Sequence, residues 1–105
     1  MNALPHLQFA VLGVLGAGDL PGRKVRTQLE ALGVEKSGPA FYRLMARLEE
    51  SGLVEGWYEQ EVVEGQMLRE RVYRATAEGR TARDSTADFH RGVISSFADG
   101  GRSLA

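Results

Sequence analysis

The chain has 105 residues, of which 43% are apolar and 26% charged, with a net charge of −1. That is the composition of one ordinary globular domain with a modest core. It contains no cysteine, which excludes disulfides, thiolate metal sites and thiol nucleophiles, and its histidines, His6 and His90, lie far apart.

No apolar run approaches the roughly 18 residues of a membrane-spanning helix. The start MNALPHLQFAVLGVLGAG lacks the basic region of a signal peptide. No membrane association and a cytoplasmic location are therefore expected. Charge alternates in blocks. Lys36 to Arg47 holds three basic residues and no acidic one, Glu49 to Glu64 six acidic and no basic, and Arg69 to Arg83 five arginines against Glu70 and Glu78. A near-zero total can thus hide one basic face.

Pro5 suits a first helical turn. From Leu4 to Leu15 apolar residues cover nearly the whole circumference of a helix, so this helix is expected to be buried all round, with core on one side and a partner chain on the other. Gly16 and Gly18 end it. A second helix is expected within LPGRKVRTQLEALG, with Pro21 near its start, Gly33 at its end and Val25, Leu29 and Leu32 inward.

Ser37 as N-cap with Pro39 just inside predicts a third helix to Glu50. At about 100° per residue, Phe41, Leu44, Met45 and Leu48 share its inner face. Tyr42, Arg43 and Arg47 fall on the outer side. Ser51-Gly52 stops this helix. LVEGWYEQEVV and MLRERVYRAT read as two strands joined at Gly65, with Gly56 suggesting a bulge. Either Trp57 or Tyr58 is expected in the core. The inward face of the second strand is left open by its alternation. Thr76 caps a last helix running to about Ala98, whose late residues Phe89, Val93, Ile94 and Phe97 form a stripe with no core left to cover it. Residues 99–105 read as a loose tail.

A helix followed directly by a β-hairpin is the reading unit of a winged helix-turn-helix. The expected fold is therefore mainly α (α+β), a winged helix-turn-helix over residues 1–76 with a C-terminal dimerisation helix over 77–98. In that architecture the second helix of the motif enters the major groove of DNA. Arg43 and Arg47 would read bases, since arginine is the usual bidentate partner of guanine. Lys36, Ser37 and Tyr42 would meet phosphates near the helix start, and Arg69 and Arg71 would reach phosphates or a minor groove from the wing. For Arg43 and Arg47 the competing reading is pairing with Glu50 and nearby carboxylates. No nucleophile–base context, phosphate loop or dinucleotide fingerprint is present, so an enzyme is not expected. Neither a metal nor another cofactor is implied.

The run LPHLQFAVLGVLGAGDLPG, then SGPAFYRLMARLEESGLVE, then RVYRATAEGR resembles the PadR family of bacterial transcriptional regulators, over Leu4 to about Arg80. Its most specific parts are Tyr42-Arg43, Leu48-Glu49-Glu50 and Gly52-Leu53-Val54, with the hairpin exit Tyr73-Arg74-Ala75-Thr76 and Glu78-Gly79. The resemblance implies a homodimer built largely by the C-terminal helix, repression of nearby genes, and DNA contacts from Ser37, Tyr42, Arg43, Arg47 and the hairpin from Gln66 to Arg71. The short C-terminal helix looks like the compact branch of the family. Two features depart from it. Arg23 follows Gly22 where the family often has an aromatic, adding a phosphate contact, and the first wing strand is unusually acidic. The resulting expectation is a dimeric repressor on a palindromic operator, with Leu4, Leu7, Val11, Phe89, Val93, Ile94 and Phe97 at the dimer interface. One alternative is a winged helix used for protein contacts without DNA. A third reading adds a small-molecule inducer at the dimer interface, near Trp57 or the first helix.

Overall fold

The computed structural model describes residues 3–103. Four helices and three strands follow in the order α1 (His6–Leu15), β1 (Asp19–Pro21), α2 (Gly22–Ala31), α3 (Gly38–Glu50), β2 (Val54–Val63), β3 (Gln66–Ala75) and α4 (Ala77–Ser103). The sheet is antiparallel in the order β1-β3-β2. This is the expected α+β winged helix, with α2 and α3 as the helix pair and β2–β3 as the wing.

The core gathers one face of each of the first three helices against the base of the hairpin: Val11, Leu12, Leu15, Val25, Leu29, Phe41, Met45, Leu48, Val54, Tyr73 and Ala75. Each large side chain among them contributes about 1.5–3 kcal/mol by leaving water. The α3 stripe is inward as its spacing predicts, with Phe41, Met45 and Leu48 fully buried and Leu44 half-buried. Ser37 caps α3 by accepting the Ala40 N–H at 3.3 Å, with Pro39 in the first turn.

Several expectations are corrected. Strand β1 is absent from the sequence reading, because three residues containing a proline carry no alternation. It is an edge strand, where proline is tolerated, and Arg74 of β3 grips Asp19 with hydrogen bonds of 2.8 and 3.0 Å. Leu32, expected inward, is exposed, because α2 ends at Ala31 and Leu32 is its C-cap. Val11, expected at a dimer interface, is 0% exposed within one chain and belongs to the core. Neither Trp57 nor Tyr58 is buried. The core aromatic is Tyr73, because β3 is the central strand and its last turn of pleat is covered on both faces, burying Val72, Tyr73 and Ala75. No bulge interrupts β2 at Gly56, since the register runs unbroken from Val54↔Ala75 to Val63↔Gln66. The hairpin closes through Glu64-Gly65 with φ of 51° and 78°, both positive as a type I′ turn requires.

Helix α4 is fastened to the body at its start. The Thr76 hydroxyl accepts the Gly79 N–H at 2.9 Å and donates to the Gly52 carbonyl at 2.7 Å. Buried Thr86 accepts the Leu4 N–H at 3.1 Å, and the Phe9 and His90 rings stand 5.2 Å apart. Every residue from Arg91 to Asp99 is then exposed. The helix continues beyond Ala98 through Ser103, where a loose tail was expected; Leu104 and Ala105 lie outside the described residues.

Candidate nucleic-acid interface

Helix α3 presents a second face opposite its buried stripe. Tyr42, Arg43, Ala46 and Arg47 are all exposed there. Neither guanidinium has an ion-pair or hydrogen-bond partner among the described residues, so the expected competitor, pairing with Glu50, is not realised. At the start of the helix Ser37 is exposed and Lys36 half-buried. The Lys36 carbonyl accepts from Arg26 Nη2 at 3.0 Å, which ties the loop between α2 and α3 back onto α2. Arg26 thus positions the helix entrance, a role its place in an ordinary amphipathic pattern did not reveal.

The wing resolves the charge problem posed by its acidic first strand. Side chains alternate across a strand. In the observed register Tyr58, Gln60 and Val62 stand opposite Arg71, Arg69 and Met67 on the face toward α3. Glu55, Glu59 and Glu61 stand with Arg74, Glu70 and Leu68 on the other face. The glutamates of β2 therefore point away from α3, and the wing arginines point toward it. The guanidinium of Arg69 lies 4.0 Å from the centre of the Tyr58 ring and that of Arg71 4.8 Å, within cation–π range.

Between α3 and the wing lies an open cleft of about 450 Å³. Tyr42 and Glu49 line it from the helix, Tyr58, Arg69 and Arg71 from the wing, and buried Tyr73 from the sheet. Burial pushes the Tyr73 phenol up to about 12, against the opposing hydrogen bond from Arg71. An acid with a raised folded pKa is harder to ionise folded than unfolded. Its stabilisation is complete below the ordinary value near 10 and is lost as pH rises from there toward 12. Urea unfolding at pH 9 and pH 11 should therefore differ by about 1.3 kcal/mol. The Tyr73→Phe variant should lack that slope; an equal slope in the variant would assign it elsewhere.

The expected contacts are not all brought together. Tyr42 and Arg69 line the cleft, whereas Arg43 and Arg47 are exposed on α3 outside its lining. Gln66 is exposed at the end of the hairpin but in register with Val63, on the acidic face. Arg23 is paired with Glu70, and Arg71 donates to both carboxylate oxygens of Glu49 at 3.0 Å. Two arginines expected to meet phosphates are thus already engaged within the chain. In the sequence Glu49 sits inside an acidic block, which hides its partner, and Gly56 suggests a bulge that β2 does not make. No group of three or more His, Asp or Glu side chains among the described residues could hold a metal ion, and none of their helices is long and apolar enough to cross a membrane.

The model of the PadR-like family of transcriptional regulators matches residues 11–85. The chain belongs to that family. It is thus a transcriptional regulator rather than an enzyme. No curated protein sequence matches it. Among solved structures, a PadR family transcription regulator from Clostridium difficile R20291 is similar at 20% identity with a TM-score of 0.72, covering 90% of this chain and 99% of that one. A PadR family regulator from Eggerthella lenta DSM 2243 is 28% identical with a TM-score of 0.61, covering 93% and 80%. Bacillus subtilis PadR, solved in complex with operator DNA, is 21% identical with a TM-score of 0.63, covering 77% of this chain and 47% of that one.

Proposed function

We propose that this PadR-like regulator is a homodimeric repressor that binds a palindromic operator, with α3 in the major groove and the cleft face of the wing on the flanking backbone. The observation that carries this reading is the pair of exposed, unpartnered guanidinium groups of Arg43 and Arg47, on a helix whose opposite face buries Phe41, Met45 and Leu48. Tyr42, Ser37, Lys36 and Arg69 supply phosphate contacts around them. The operator complex of the Bacillus subtilis protein supports the same use of the shared fold. The exposed stripe of Phe89, Val93, Ile94 and Phe97 supports a two-fold dimer through α4, which would set two recognition helices about 34 Å apart.

Replacing Arg43 with alanine should cost about 1–3 kcal/mol of binding to the DNA upstream of the protein's own gene and relax base preference at one position. A fluorescence-anisotropy titration of that duplex measures it. Undiminished affinity would remove Arg43 from the groove. A second reading, a winged helix that docks on protein, is favoured by the acidic outer face of the wing. Salt separates the two. Operator binding should fall with a log–log slope of about −0.9 per phosphate neutralised, and absence of binding at low salt would favour the protein partner.

A further inference from the structure

We infer that Glu49 and Arg71 form a clasp that fixes the angle between the recognition helix and the wing, with Gly56 as the gap through which it closes. This rests on the DNA-binding reading and assigns both residues a positioning role in it.

Three observations converge. First, Arg71 Nη2 meets both oxygens of Glu49 at 3.0 Å, with the two side chains only 25% and 28% exposed. A charge-assisted hydrogen bond partly withdrawn from water is stronger than the ordinary surface ion pair. Second, Gly56 lies in a strand of unbroken register. Glycine weakens a strand interior, so its presence needs a local cause. A Cβ there would stand 2.3 Å from Glu49 Oε1 and 3.0 Å from both Arg71 Nη2 and Tyr73 Cε1. The carboxylate occupies the space a side chain would need.

Third, the clasp sits where the hairpin leaves the body. Every residue from Tyr58 to Arg69 is exposed. At about 3.3 Å per residue the six steps from Tyr58 to the turn make an arm of about 20 Å. A tilt of about 10° at its base would move the tip by some 3–4 Å on that same length, more than a phosphate contact tolerates. The adjacent residue Glu70, on the opposite face of β3, is held by Arg23 of α2. Consecutive residues of the central strand are thus tied to the two helices of the motif from either side. Arg23 is two-thirds exposed (66%), so the Glu49 tie is the firmer.

The test turns on sign. Removing Glu49 takes a negative charge from the cleft and frees Arg71, so electrostatics alone makes DNA binding tighter. A clasp makes it weaker. The wild-type chain is compared with Glu49→Ala, Glu49→Gln, Arg71→Ala and the Glu49→Ala/Arg71→Ala double variant, each checked for folding by circular dichroism. Amide ¹⁵N relaxation of residues 58–69 is recorded without DNA, and affinity is measured for the duplex upstream of the gene. Glu49→Ala should loosen the wing amides and weaken binding about tenfold, the scale of one partly buried charge-assisted pair. Glu49→Gln, which keeps an acceptor, should fall between. Arg71→Ala should add little once Glu49 is gone. Wing relaxation unchanged in Glu49→Ala overturns the clasp, and so does a Glu49→Ala variant that binds as tightly as wild type. Should the wild-type chain bind no DNA at any salt, the functional reading fails and the relaxation data alone decide the clasp.

Discussion

Replacing Gly79 by alanine is expected to lower the melting temperature by roughly 10–25 °C, from about 3–5 kcal/mol of lost stability in a domain of this size. Intrinsic helix propensity predicts the opposite sign, since alanine is favoured over glycine by about 1 kcal/mol inside a helix. Packing decides. A Cβ at Gly79 would stand 2.0 Å from the Leu53 carbonyl oxygen, 3.0 Å from the Leu53 carbonyl carbon and 3.1 Å from Leu12 Cδ2. The first two are backbone atoms, which cannot swing aside as a side chain can. Relief requires α4 to lift from the turn after α3. That motion strains the Thr76 N–H bond to the Leu53 carbonyl at 3.0 Å and the Thr76 hydroxyl bond to the Gly52 carbonyl at 2.7 Å. Thermal unfolding followed at 222 nm checks the result. A Gly79→Ala variant that melts with wild type would show that the α4 start is not pressed on this turn.

The same contact explains why the architecture was legible and some of its fastenings were not. Local signals announced themselves. Ser37 before Pro39 marked the start of α3, Thr76 before Gly79 marked the start of α4, and the period of Phe41, Met45 and Leu48 gave the inward face of the recognition helix. Each of these depends on residues within one or two turns of each other. Gly56 and Gly79 depend instead on what lies across the fold, the Glu49 carboxylate in one case and the Leu53 carbonyl in the other. A glycine read alone suggests a bulge or a cap, and only the packed structure shows which atom fills the missing side chain's place.

Charge was misleading for a related reason. Glu55, Glu59 and Glu61 made the first wing strand look hostile to DNA when counted along the chain. Alternation places them together on the face away from α3. The parity of the residues was readable in the sequence, but not which parity faced α3. That is set by Tyr73 and Ala75 entering the core, which requires β3 to be central. The missing third strand, β1, made it so, and three residues with a proline carry too little pattern to be seen. Arg23 and Arg71 looked free for the same reason. Their partners Glu70 and Glu49 lie on other elements, 47 and 22 positions away in the chain.

The double variant Phe89→Glu/Phe97→Glu should be a folded monomer that has lost roughly 10²–10⁴-fold of its operator affinity, the range by which joining two binding modules raises avidity. Phe89 and Phe97 are 54% and 66% exposed within one chain, so charging them leaves the core intact. They bracket Val93 and Ile94 on a helix of 27 residues, about 40 Å long at 1.5 Å per residue. A helical segment that exposes such a stripe is marginal in water by itself, and a second copy of α4 would cover it. Splitting that pair removes the linkage that makes the second half-site an intramolecular event. The leucine counterparts, Phe89→Leu/Phe97→Leu, keep the apolar stripe and should stay dimeric. Light scattering in line with gel filtration reads the mass, and anisotropy titration reads the affinity. A glutamate variant that remains dimeric would move the interface off α4. A monomer that binds the operator as tightly as wild type would show that one recognition helix suffices and that the two-fold operator is not what this protein reads.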